Sequence, residues 1–193
     1  MNSPFITGDD VYLRPLDQND LNENYVGWLN DSEVTRYLES GTFPYTKDEL
    51  DEFYRRVSGT KDKVIMAVVE RESDLHIGNV KLEPINWVHR SAEFGIMIGV
   101  KSMWGKGYGS ETTSLTVEYA FTRLNLRKVS LVVVAKNIAA LKTYQRLGFV
   151  TEGTKREDVF SDGKYEDVLW MGVLRDEFVA KRETRSWHQP LAA

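Results

Sequence analysis

At 193 residues, 41% of them hydrophobic, the chain is sized for one domain with a substantial core. Its net charge of −4 comes without a basic stripe, so a nucleic-acid partner is not expected. Cysteine is absent, which excludes disulfides, thiolate metal sites and a cysteine nucleophile; with the three histidines scattered at His76, His89 and His188, no metal site is expected either. The N-terminus carries no basic-then-apolar leader and no apolar run approaches membrane-spanning length, which points to a cytoplasmic protein without a membrane partner.

In chain order, residues 5–15 read as a strand closed by Pro15. Asp17 to Leu29 reads as a helix, with Leu21, Tyr25, Trp28 and Leu29 at helical intervals and Asp17 as its cap. Asp31-Ser-Glu-Val34 has the form of a cap followed by an acidic first turn, which predicts a second short helix with Val34, Tyr37 and Leu38 on its apolar face. A third, from Thr46 to Val57, opens on the capping box Thr46-x-x-Glu49. The loop between these two carries Phe43 and Tyr45, either a substrate wall or two rings packed on the core.

From Lys63 the pattern turns to strand: an apolar run Val64 to Val69, alternation from Leu75 to Leu82, and a third strand from Ser91 to Val100. Residues 110–124 read as a helix, 127–135 as a strand and 138–147 as a helix. Residues 149–160 and 165–173 form a hairpin turning at Ser161-Asp-Gly-Lys164. The residues alone thus describe a mixed α/β domain.

Between the third strand and its helix lies Trp104-Gly-Lys-Gly-Tyr-Gly-Ser-Glu111. Three glycines alternating over five positions leave the backbone uncovered, so the N–H groups of Gly105, Lys106, Gly107, Tyr108, Gly109 and Ser110 can converge on an anion where a helix begins. The spacing fits neither the Walker loop nor the dinucleotide fingerprint. Read alone, it is equally a flexible turn.

A second segment, Asn137-Ile-Ala-Ala-Leu-Lys-Thr-Tyr144-Gln-Arg-Leu-Gly148-Phe149, follows a β-rich run. Together the two resemble the paired acetyl-CoA motifs of the GNAT (Gcn5-related N-acetyltransferase) superfamily. That resemblance covers about residues 5–175 and implies a central, mostly antiparallel sheet flanked by helices. Residues 176–193 fall outside it and are expected to form a C-terminal tail. It also implies acetyl-CoA as co-substrate, direct transfer to an amine, and a frequently dimeric enzyme, with the final hairpin a plausible homodimer interface. Trp104 stands where the superfamily has Arg or Gln, a departure shared with the Rim-type ribosomal-protein N-acetyltransferases, and this shifts the comparison towards that subgroup.

On the same resemblance, Ile98, Gly99 and Val100 would pair with the pantetheine arm like an added strand. The 105–110 loop would take the pyrophosphate, with Lys106 assisting, and Asn137 would orient the arm, although a plain N-cap role explains Asn137 too. Tyr144 would protonate the departing thiolate, its phenol staying protonated at neutral pH. For the amine proton, Glu93 at the start of the strand entering the site is the candidate base, or simply an outward-facing strand residue; Glu83 is a weaker one. The acceptor stays open between a protein N-terminus, a nucleotide-linked amino sugar and a polyamine or other small amine. A non-catalytic acyl-CoA sensor on the same fold is the rival reading.

Overall fold

The computed structural model describes residues 3–161 and 163–183. Eight strands form one sheet in the order β1-β2-β3-β4-β5-β6-β8-β7. They are β1 (Ile6–Thr7), β2 (Val11–Pro15), β3 (Val64–Glu70), β4 (Leu75–Asn86), β5 (Ser91–Ile98), β6 (Lys128–Val134), β7 (Val150–Ser161) and β8 (Lys164–Leu174). Every neighbouring pair is antiparallel except β5 and β6. The mixed α/β sheet flanked by helices is thus as the sequence implied.

The apolar run of β3 is explained by helices on both faces of the sheet. Met66 and Val68 enter one core with α3 (Tyr108–Thr122), α4 (Ile138–Arg146) and α5 (Arg175–Glu183). Ala67 and Val69 enter a second with α1 (Glu23–Asn30) and α2 (Lys47–Val57). A strand buried on both sides has no polar alternation to show.

Three local expectations change. The 5–15 strand is the β1–β2 hairpin. The helix expected from Asp17 is split: Asp17 caps only a single 3-10 turn, Gln18–Asp20, and Asn22 caps α1 afresh. The split frees Asp20 to form a bidentate pair with Arg14, 2.6 and 2.7 Å. The helix expected at Asp31 does not form. Asp31 does accept from the N–H of Glu33 at 2.9 Å, but Thr35 turns its hydroxyl back onto the Asp31 carbonyl, and the segment runs on as turns to Gly41. So short a stretch cannot repay helix nucleation. By contrast, the Thr46 capping box is formed as read.

The tail expected from residue 176 begins as helix: α5 runs to Glu183, and Phe178, 4% exposed, packs on Phe121. Residues 184–193, with Arg185, Trp187 and Pro190, lie outside the described residues.

Candidate active site

The parallel pair β5–β6 holds only at Ser91–Lys128, Ala92–Val129 and Glu93–Ser130, and beyond it the two strands diverge. β5 stays zipped to β4 on its other side as far as Ile98–Gly78. Gly99 N–H donates to the Ile77 carbonyl at 2.8 Å. In an antiparallel ladder this makes Ile98–Gly78 a pair without mutual hydrogen bonds. The main-chain groups of Ile98, and by alternation those of Ile96, therefore point away from β4 into the gap.

The gap opens into a cleft of about 1400 Å³. Its floor is Ile96, Met97 and Ile98; one wall is the glycine loop with the start of α3, a second is α4, and a third is the turn segment from Glu33 to Leu38. In the loop, Gly105 and Gly107 take φ values of 75° and 97°, and a Cβ at either would meet nothing within 4 Å. Gly107 is the N-cap of α3. Ser110 and Glu111 N–H already donate to the Gly107 carbonyl, at 2.9 and 3.0 Å. Among the described residues, the N–H groups of Gly105 to Gly109 have no acceptor, an uncovered cradle at a helix N-terminus that suits a pyrophosphate. Ser110 therefore contributes little through its main chain, and Lys106 does not line the cleft.

Glu111, read as a helix-terminus charge, is a brace: its carboxylate accepts the N–H groups of Asp9 and Asp10 in the β1–β2 turn. Burial pushes its carboxyl up from the usual range despite those bonds.

Tyr144 projects from α4 between Phe94 and Phe149, ring centroids 6.1 and 5.8 Å away, and borders the cleft. It is only 8% exposed, and burial pushes its phenol up to about 12. Its hydroxyl has no hydrogen-bond partner among the described residues. Asn137 borders the cleft as well and caps α4, its side chain accepting from Ala140 N–H at 3.2 Å.

Several expectations are corrected. Gly99 and Val100 face the wrong way for an arm in the gap, since both donate their N–H to the Ile77 carbonyl, at 2.8 and 3.2 Å. The usable edge lies further back, at Ile96 and Ile98, because the register with β4 sets which groups turn outward. The Ile98 carbonyl is itself engaged by the Trp104 indole N–H at 2.8 Å. Glu93 does not line the cleft: it sits in the last zipped pair with β6, on the sheet face opposite Ala92 and Phe94. Glu83 is held by Lys63 at 3.0 Å and Lys81 at 3.5 Å, and it too is outside the cleft. Of the loop aromatics, Tyr45 packs on the α1–α2 core while Phe43 is 76% exposed, and neither lines the cleft.

The segment Trp28-x-Asn30-Asp31 carries structure that sequence reasoning left unassigned. The Trp28 ring fills the space beside Gly99, where a Cβ would lie 2.0 Å from it. Asn30 closes the 31–45 loop by bonding both the N–H and the carbonyl of Tyr45, each at 2.8 Å. Asp31 and Glu33 hold Lys101 between them, 2.7 Å from each, which pushes its ammonium up to about 12.

A splayed strand pair, an uncovered anion cradle and a buried phenol in one cleft define an acyl-CoA-dependent transferase. The chain belongs to the acetyltransferase (GNAT) domain family, whose pattern matches residues 10–150. It is 36% identical over 174 residues to the spermidine N(1)-acetyltransferase of Vibrio cholerae serotype O1, covering 89% of this chain and 96% of that one. It is 32% identical over 175 residues to the Escherichia coli K12 enzyme of the same name, covering 90% and 91%. The crystal structure of spermidine N-acetyltransferase from Vibrio cholerae in complex with CoA and spermine superposes with a TM-score of 0.81 at 33% identity, over 89% of this chain and 99% of that one. Acetyl-CoA is accordingly the co-substrate and a primary amine the acceptor. The Rim-type affinity suggested by Trp104 finds less support: a putative ribosomal N-acetyltransferase of Bacillus subtilis is 28% identical over 105 residues, 54% of this chain.

Proposed function

We propose that this enzyme acetylates a primary amine of a polyamine, with Tyr144 as general acid. The observation that carries the acceptor class is the near full-length similarity to two spermidine acetyltransferases.

In this reading the main-chain groups of Ile96 and the N–H of Ile98 hold the pantetheine arm as an added strand, Asn137 orients it, and the N–H groups of Gly105 to Gly109 bind the pyrophosphate. The lone pair of a neutral amine attacks the thioester carbonyl carbon, and the C–S bond breaks as the tetrahedral intermediate collapses. Tyr144 gives its proton to the departing sulfur. With its phenol held near 12, Tyr144 enters each turnover protonated across the neutral range. The amine's proton leaves to water at the open mouth of the cleft, so the reaction needs no step through Glu93.

The test is thiol release from acetyl-CoA with spermidine, spermine, a peptide N-terminus and a nucleotide-linked amino sugar. Turnover on the polyamines at the highest kcat/KM is expected. A preference for the peptide would move the enzyme to the Rim-type acceptor class, and cofactor binding without turnover on any amine would make it a sensor. We place the enzyme in the cytoplasm; no helix among the described residues is long and apolar enough to cross a membrane. We further propose a homodimer through the outer face of β6 and β8, where Val132 lies beside Trp170, both more than 40% exposed. Sedimentation at micromolar concentration checks it, with Trp170→Lys expected to give monomer.

A further inference from the structure

The start of α3 carries the open N–H groups of the cradle, yet little holds it in place from within. Its N-cap, Gly107, has no side chain to cap it. Among the described residues, the only side chain of the first turn that hydrogen-bonds elsewhere in the fold is Glu111. Its carboxylate accepts the N–H groups of Asp9 and Asp10, the latter at 3.1 Å. The carbonyl side of that same turn is taken by Arg71, at the end of β3. The Arg71 Nη1 donates to the Gly8 and Asp9 carbonyls at 2.7 and 2.9 Å, and its main-chain N–H donates to the Asp10 carbonyl at 3.0 Å. One face of the β1–β2 turn is thus fixed to the sheet and the other to α3.

Gly8 belongs to the same joint. Its φ lies outside the left-handed region, but a Cβ there would lie 2.1 Å from Glu111 Oε1 and 2.8 Å from Leu115 Cδ1. The closeness of α3, and not the shape of the turn, calls for glycine. A carboxylate in a first helical turn is favoured by the dipole wherever it points. The dipole asks neither for two N–H partners on a distant turn nor for the half-burial of Glu111.

We propose that Glu111 is a positioning residue for the donor: by bracing the first turn of α3 against the β1–β2 turn, it aims the N–H groups of Gly105 to Gly109 at the pyrophosphate. The proposal rests on the acetyl-CoA reading of that cradle. Glu111 acts through the main chain of α3, while its own negative charge, in the cleft wall, opposes the bound anion. Its oxygens and its charge therefore pull in opposite directions, and substitution separates them.

The test measures the Kd of acetyl-CoA by calorimetry, together with kcat and the KM of spermidine, on the native protein and on folded variants checked by thermal melting. Glu111→Ala removes the brace and is expected to raise the Kd about tenfold, with kcat and the spermidine KM unmoved. Glu111→Asp keeps the charge but falls a methylene short of the turn, and should do at least as badly. Glu111→Gln keeps an oxygen for the two N–H groups and sheds the repulsion, and should stay within about twofold of native. Gly8→Ala forces the joint apart from the other side; it should match Glu111→Ala, and the Gly8→Ala/Glu111→Ala double variant should be no worse than either. A helix-dipole role would reverse the order, with Glu111→Asp near native and Glu111→Gln impaired, and would overturn the proposal. So would a Kd that neither Glu111→Ala nor Glu111→Asp moves, or Gly8 and Glu111 effects that multiply; the cradle assignment survives all of these. A native protein that binds no acetyl-CoA overturns the acetyl-CoA reading and the positioning role with it.

Discussion

The walls of the cleft are made of different material. The donor wall is main chain: the outward edge of β5 and five N–H groups around Gly107, placed by strand register and a helix start. The wall we propose for the acceptor, Glu33 to Leu38, is a run of turns held from outside by side chains, with Asn30 closing its loop and Lys101 gripping Glu33 and the preceding Asp31. Recognition through backbone tolerates changes of side chain and so leaves a motif with a fixed spacing. A wall of side chains and turns is free to vary, and with it the acceptor.

If that contrast is right, damage should separate by substrate. The largest effect is expected at the chemistry: Tyr144→Phe keeps the ring between Phe94 and Phe149 but removes the proton, lowering kcat roughly 100-fold with acetyl-CoA affinity unchanged in calorimetry. Normal turnover by this variant would remove Tyr144 from the mechanism. On the donor wall, Gly107→Ala puts a Cβ at φ 97°, a conformation costing about 1–2 kcal/mol for an L side chain. The KM for acetyl-CoA should rise about tenfold while that of the amine stays put.

On the acceptor wall, Asn30→Ala loses both bonds to Tyr45, and with about 1 kcal/mol of loop definition gone the amine KM should rise about fivefold. Steady-state kinetics with each substrate varied in turn decides both; a variant that moved both KM values together would dissolve the distinction between the walls.

The smallest effect concerns the frame beneath the acceptor wall. His76 lies edge-on to Trp28 and 3.6 Å from Asp20. Burial lowers its pKa below 6.5, outweighing the pull of the Asp20 carboxylate. The unfolded chain therefore binds the proton more readily, so stability from the neutral, buried ring is complete above about pH 6.5 and declines below it, until pH has fallen through the lower pKa of the folded state. Thermal melting at pH 7.5 and 6.0 should show a drop that His76→Gln flattens.

How much of this was legible follows the same division. The capping residues Thr46 and Asn137 could be read because a cap is a local contract between neighbours. Asp31 was a true cap signal for a helix that closes a single turn, Thr35 N–H and hydroxyl both reaching the Asp31 carbonyl, and never propagates. Asp17 likewise capped only a single turn, since Asn22 restarts the helix two residues after that turn ends and leaves Asp20 free for Arg14. The spacing of the glycines and of Tyr144 led to groups that share one cleft, whereas of the expected edge Ile98, Gly99 and Val100 only Ile98 turns its main chain into the gap, because pairing with β4, which no motif encodes, decides the outward groups. Of the two readings of Glu93 the structure fits the plain strand residue: being on the right strand says nothing about being past the point where the strands part.

That parting point also bears on how long each molecule survives. Beyond Glu93 and Ser130 the sheet has an unstitched seam at its centre, and bare strand edges are adhesive towards other chains. A donor lying in the seam closes it and, binding only the folded form, deepens the native well by mass action. A donor-filled enzyme is therefore expected to outlast the empty one against heat and protease, so that the cofactor serves as a temporary strand of the sheet as well as a reactant.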